Sequence, residues 1–176
     1  MAVERSAQDS MKELLEGFYP RLWRYCLALT RDLPAAEDLC QAACLKALES
    51  AHQFQAGTHA DRWVFSIAKN LWYNTLRAEN VRRGGGLVPS DELALPAPGT
   101  DAETNFFHAE VLKAVMDLPE AQRVTVFLVY VEGFSYKEAA EHLHIPIGTV
   151  MSRLAAARSK LAALKATSGA AKQRTL

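Results

Sequence analysis

Two clusters in the chain bring together side chains that bond to anions and to base edges. In the first, Trp63, Lys69, Asn70, Asn74 and Arg77 lie along a stretch whose Val64, Ile67, Ala68 and Leu71 recur at helical spacing. An indole, amides and cations together suit single-stranded nucleic acid: the ring stacks on a base, amides read exposed edges and cations pair with phosphate. An aromatic at helical spacing serves equally well in a core, and Trp63 and Trp72 are both expected to be at least half buried. In the second cluster, Thr149, Ser152 and Arg153 stand near the start of a helix, with Arg158 and Lys160 further along. Hydroxyls and guanidinium groups bond phosphates and base edges, and arginine suits guanine bidentately.

The elements that must position the second cluster are legible in the preceding residues. Ser135 and Glu138 form an S-x-x-E capping box that opens one helix. Ala139 and Ala140 are small where a second helix must cross closely, and Leu143 and Ile145 anchor a short turn. The next helix begins at Pro146, or slightly later with Gly148-Thr149 as its cap, and Val150 and Leu154 face back into the domain. That pattern matches a helix-turn-helix, whose second helix puts its N-terminal residues into the major groove. An ordinary helical hairpin with a solvated basic face is the competing reading. Phe134 and Tyr136 are expected in the core.

Other chemistry is poorly supplied. The five histidines, His52, His59, His108, His142 and His144, form neither HExxH nor a Cys–His ligand set. Gly84-Gly85-Gly86 lacks the lysine and hydroxyl of a phosphate-binding loop, and no nucleophile–base pair is apparent. No enzymatic activity, cofactor or metal is expected. Cys26, Cys40 and Cys44 contain no CxxC pair. Cys40 and Cys44 share a helix face, which offers a metal or redox site, although their apolar neighbours favour small core side chains. An odd cysteine count and the lack of a secretory leader fit a reducing, cytoplasmic setting. No apolar run approaches the roughly twenty residues that span a bilayer, so no membrane insertion is expected.

The 176 residues carry a formal net charge of zero, but the charge is segregated. From Arg62 to Arg83 five cations face the single acid Glu79; Asp91 to Glu120 is strongly acidic; from Pro146 onward every charged side chain is basic. Two basic segments separated by an acidic one suggest two contacts with a polyanion.

Helical periodicity dominates throughout, and the fold class is all-α. The spacing predicts helices over Ser10 to Phe18, Pro20 to Thr30, a third opened by Pro34 with Leu39, Ala42, Ala43, Leu45 and Leu48 inward, and a long one to about Arg83 capped by Asp61 or Thr58. Gly84 to Thr104, rich in Gly and Pro, reads as a flexible linker. Residues 10–83 and 105–166 then form two small helical domains. The second is a four-helix domain with helices Asn105 to Leu118, Pro119 to Val131, Ser135 to Leu143 and Pro146 to about Lys165.

Taken in order, these segments resemble one family. Asp38-Leu39-Cys40-Gln41 with Leu45-Lys46-Ala47-Leu48, then Trp63 to Asn70, then Leu118 to Arg123 with Tyr130 to Ala140, and finally Ile145 to Leu154 are similar to four blocks of the extracytoplasmic-function (ECF) sigma factors. The resemblance implies an alternative sigma factor that binds core RNA polymerase and directs transcription initiation at promoter DNA, held in check by an anti-sigma factor. It implies that Asp38, Leu39 and Gln41 meet the polymerase, and that residues 10–83 act as region 2. Within that region the loop Gln55 to His59, with Trp63, Lys69, Asn70, Asn74 and Arg77, would hold the −10 element open. Residues 105–166 would be region 4, with Thr149, Ser152, Arg153 and Arg158 on the −35 duplex. The acidic linker would thread toward the RNA exit path. Departures fall at Ala42-Ala43-Cys44, where Glu-Thr-Phe is usual, at Met151, where a cation is common, and at Ala155-Ala156-Ala157, where Arg or His is frequent. The alternative is a helix-turn-helix regulator that needs no polymerase, which leaves the N-terminal half without a role.

Overall fold

A computed structural model of the chain describes the backbone of residues 2–82 and 111–172 and the side chains of residues 6–82 and 111–163. The predicted linker 84–104, its glycine stop and the start of the following helix at Asn105 lie outside the described residues. Every regular element among the described residues is helical, and the chain divides into two compact units, Met1–Leu93 and Ala94–Leu176.

In the N-terminal unit, α1 runs over Ala2–Thr30 as one helix with Pro20 inside it. The sequence suggested two helices meeting at Pro20, and the difference has a physical cause. Met11, Leu15, Phe18, Leu22, Tyr25 and Leu29 are all buried and repeat at alternating steps of four and three, so one apolar stripe continues through the proline, which is exposed. Burial of that stripe outweighs the roughly 3 kcal/mol that an interior proline costs. Arg31 ends α1 in the left-handed conformation at φ 57°. Asp32 then caps α2, Leu33–Glu49, accepting from the Ala35 N–H at 2.8 Å with Pro34 in the first turn. A short 3₁₀ turn, Ala51–Gln53, leads through an exposed loop into α3, Ala60–Arg82. Thr58 closes that loop by donating to the Gln55 carbonyl, while Asp61 lies in the first turn of α3 and pairs with Arg21 of α1 at 2.9 Å. Tyr25 of α1 stacks on Phe65 of α3 with centroids 4.6 Å apart.

The face that α2 buries consists of Ala36, Leu39, Cys40, Ala43 and Ala47, not Ala42 and Leu45, which are exposed. Small side chains fill most of this row, and Leu45, which hydrophobicity would place inside, lies at the surface, with Leu48 half-buried. Cys26 and Cys40 are buried and Cys44 half-buried, all as free thiols. Hydrogen bonding with Cys26 pushes the Cys40 thiol up to about 11, and Cys40 together with burial pushes Cys44 up as well. Thiols so disfavoured as thiolates behave as packed core sulfur. No group of His, Cys, Asp or Glu among the described residues is arranged to hold a metal ion.

In the C-terminal unit, residues 111–116 are helical, α4 is Glu120–Val126, and it continues into a π-helical turn, Phe127–Val131. Arg123 is 4% exposed and donates to the carbonyls of Met116 at 3.3 Å and Leu118 at 2.8 Å, closing the end of the preceding helix. Gly133, at φ +70°, turns the chain into α5, Tyr136–Leu143. Both halves of the capping box are made: Ser135 N–H donates to Glu138 Oε2 at 2.8 Å and Glu138 N–H to Ser135 Oγ at 3.2 Å. His144, left-handed at φ 54°, closes α5, and α6 follows over Ile147–Lys172. Pro146 stands just outside α6, its carbonyl accepting from the N–H groups of Thr149 and Val150. Phe134 is buried as expected, edge-on to the buried His142 at 5.7 Å, whereas Tyr136 is half-buried.

Candidate polymerase and nucleic-acid interfaces

The outer face of α2 is a stripe. Asp38, Gln41, Ala42 and Leu45 are exposed at helical spacing, and Leu45 is 60% exposed. Leu39, adjacent to Asp38 in sequence, is buried with Ala36, Cys40, Ala43 and Ala47 on the face that α2 turns to the core, not on this stripe. Leu45 is the candidate that the leucine pattern concealed.

On α3, Asn70, Tyr73, Asn74 and Arg77 are exposed at spacings of three and four, a second stripe. Arg77 Nη1 donates to Asn74 Oδ1 at 3.0 Å, which fixes the amide on this face. Trp63 is half-buried at the head of the helix, its ring tilted against Phe54 with centroids 5.4 Å apart. Tyr73, 37% exposed, adds an aromatic surface that the sequence reading omitted. Lys69 does not join the stripe: it is 3% exposed, on the side of Phe65 and Ala68. Between the loop before α3 and α1 runs a groove of about 800 Å³, lined by Met11, Leu14, Phe18, Phe54 and Thr58 among others.

Burial pushes the Lys69 ammonium below the usual lysine range. A base whose folded value is depressed costs stability at neutral pH, and that cost fades as pH rises from the folded value toward the unfolded one. The parent is therefore expected to gain melting temperature relative to Lys69→Met as pH rises from 7 toward 10. Melting curves of both proteins across that interval check it; a difference between them that does not change with pH would refute it.

In the C-terminal unit, α5 and α6 meet through the tight turn at His144. Val150, Leu154 and Ala157 are buried, which turns Gly148, Met151, Ser152, Ala155 and Ala156 outward. Of the expected contact residues, Ser152 and Arg158 are exposed, while Thr149 and Arg153 are half-buried at the edge of the face. The Ser152 hydroxyl donates to the Thr149 carbonyl at 3.0 Å.

Known families match both units. The family described as Sigma-70 region 2 matches residues 14–82, and the one described as Sigma-70, region 4 matches residues 108–161. The ECF RNA polymerase sigma factor EcfG of Rhodopseudomonas palustris is 34% identical over 166 residues, covering 92% of this chain and 88% of the relative. The chain belongs to the ECF sigma factors. A second member of the family, SigE of Mycolicibacterium smegmatis, is 30% identical over 162 residues, covering 90% of this chain and 62% of that longer protein. Among solved structures, the sigma factor RpoE of Bartonella quintana, in complex with the anti-sigma factor NepR, matches with a TM-score of 0.73 and 29% identity over 88% of this chain and 96% of that one.

As a sigma factor, the protein directs transcription initiation, and the stripes on α2, α3 and α6 acquire a common context. The region 2 match spans the first two of them and the region 4 match most of α6. No helix among the described residues is long and apolar enough to cross a membrane.

Proposed function

We propose that this sigma factor works in the cytoplasm without catalysis of its own, by docking core RNA polymerase on α2 while α3 holds the −10 element open and α6 enters the −35 duplex. The observation that carries the reading is an exposed face on each of α2, α3 and α6, three helices of the matched family regions. Asp38, Gln41 and Leu45 form the polymerase contact. Trp63, Asn70, Tyr73, Asn74 and Arg77 face the melted strand, with Lys69 behind them in the core. Unpairing a base costs a few kcal/mol, which stacking on Tyr73 and the open side of the half-buried Trp63, and entry into the groove beside Thr58, offset. Thr149, Ser152, Arg153 and Arg158 serve the −35 duplex. The segments 10–83 and 105–166 act as the two functional domains, and the acidic stretch between them threads the RNA exit path. An anti-sigma factor is expected as a further partner, in keeping with the complex known for the Bartonella quintana relative.

Run-off transcription with purified core polymerase on a promoter library tests the whole reading and identifies the promoter. Within it, Arg153→Ala is expected to lower −35-dependent initiation about ten-fold, the value of a good base-edge or charged phosphate contact, while capture of the polymerase stays within two-fold. Equal loss of both activities would remove Arg153 from the DNA interface. A helix-turn-helix regulator that ignores polymerase gives no use to the N-terminal unit, which the region 2 match covers.

A further inference from the structure

The outward face at the start of α6 carries no cation. Ile147, 46% exposed, and Met151, 50% exposed, stand one turn apart, with Ala155 exposed on the next turn, so they form a single ridge along the helix. The rest of the outward surface is Gly148, Ser152, Ala156 and Ser159. At 3.6 residues per turn, Arg153 and Lys160 fall on one flank of this surface, while Arg158, seven residues after Met151, continues the line of the ridge two turns further along. Single exposed apolar residues need no explanation. Two large ones on consecutive turns are different when they occupy the part of a helix-turn-helix that enters the major groove. There the apolar feature that a base edge presents is the 5-methyl group of thymine.

We propose that Met151, with Ile147 and Ala155 on the same ridge, reads thymine methyl groups in the −35 duplex, making it a specificity-determining residue; the inference rests on placing α6 in that groove. An unbranched, polarisable thioether adapts to a methyl group at slightly varied positions. The small residues beside it let the helix sit deep: a Cβ added at Gly148 would meet nothing within 4 Å inside the protein, so the missing side chain clears space toward the DNA rather than toward the core. Arg153 on the flank and Arg158 beyond the end of the ridge are left to the phosphates, which position the helix without reading sequence. Sequence preference at this site then follows methyl pattern, not guanine.

The test uses holoenzyme on the promoter that the library selects, with each −35 thymine replaced in turn by deoxyuridine, which lacks only the methyl group. Wild-type binding is expected to fall about four-fold at one or two positions, the value of one buried methyl. Met151→Ala should bind the thymine duplex as weakly as the wild type binds the uracil one, and lose nothing further on substitution. Arg153→Ala should bind more weakly yet keep the methyl dependence. A wild type indifferent to every methyl while protecting the −35 region from cleavage, or a Met151→Ala protein that retains full methyl dependence, overturns the proposal. If the −35 region is unprotected and its randomisation costs nothing, the placement of α6 falls and the proposal falls with it.

Discussion

Arg123→Ala is expected to unfold the C-terminal unit at a temperature lower by on the order of 10–20 °C. The guanidinium is buried and donates to the carbonyls of Met116 and Leu118, at the end of the helical segment that precedes α4. Carbonyls at a helix end have no partner in their own helix and depend on what is brought to them. Removing the donor strands two acceptors away from water and leaves a void, together worth about 3 kcal/mol. Arg123→Met separates the two contributions: it fills the volume but leaves the carbonyls unserved, so its loss should be smaller but still clear. Thermal unfolding of the full chain should show the N-terminal transition unmoved. In transcription assays −35-dependent initiation should fall with the C-terminal transition while polymerase capture persists. An unchanged melting profile would show that Arg123 does not hold the two helices together.

The same residue illustrates what sequence conveys. Leu118-Pro119-Glu120-Ala121-Gln122-Arg123 was readable as a family block, yet nothing in its spacing announced a buried cation serving carbonyls that lie before it in the chain. Local devices were legible because their partners are a few residues apart. The Ser135–Glu138 box is made as its spacing requires, and the turn between α5 and α6 falls between Leu143 and Ile147. What depended on tertiary packing was misread. Pro20 looked like a helix start because the stripe from Met11 to Leu29 shows its unity only when it is packed as a whole. On α2 hydrophobicity favoured Leu45 and small size won, with Ala36, Cys40, Ala43 and Ala47 taking the interior. Lys69 was grouped with solvent-facing cations because of its charge. It stands one turn after Phe65 and next to Ala68, so the helical wheel already placed it inward. Tyr73 was missed although it stands three residues from Asn70 and four from Arg77, the spacing of a shared face.

That correction on α2 sets the other large expectation. Leu45→Arg should weaken capture of core polymerase at least a hundred-fold while leaving the melting temperature of the chain within a few degrees. The side chain is 60% exposed, so replacing it removes little from the core. It also follows Gln41 by one turn and Asp38 by two, which places a large apolar group at the C-terminal end of the same exposed stripe. Such groups become anchors when a partner covers them, and losing an anchor costs upward of 2 kcal/mol. A guanidinium forced into the same place adds the penalty of an unpaired buried charge, and 1.4 kcal/mol is a factor of ten. Leu45→Ala, with no charge introduced, should lose about thirty-fold. Leu39→Ala supplies the contrast: this buried leucine should lower thermal stability by about 3 kcal/mol and weaken capture only as far as folding fails. Titrating labelled core polymerase with each variant, beside a melting curve for each, reads both quantities. A Leu45→Arg protein that captures polymerase normally would move the docking surface off α2.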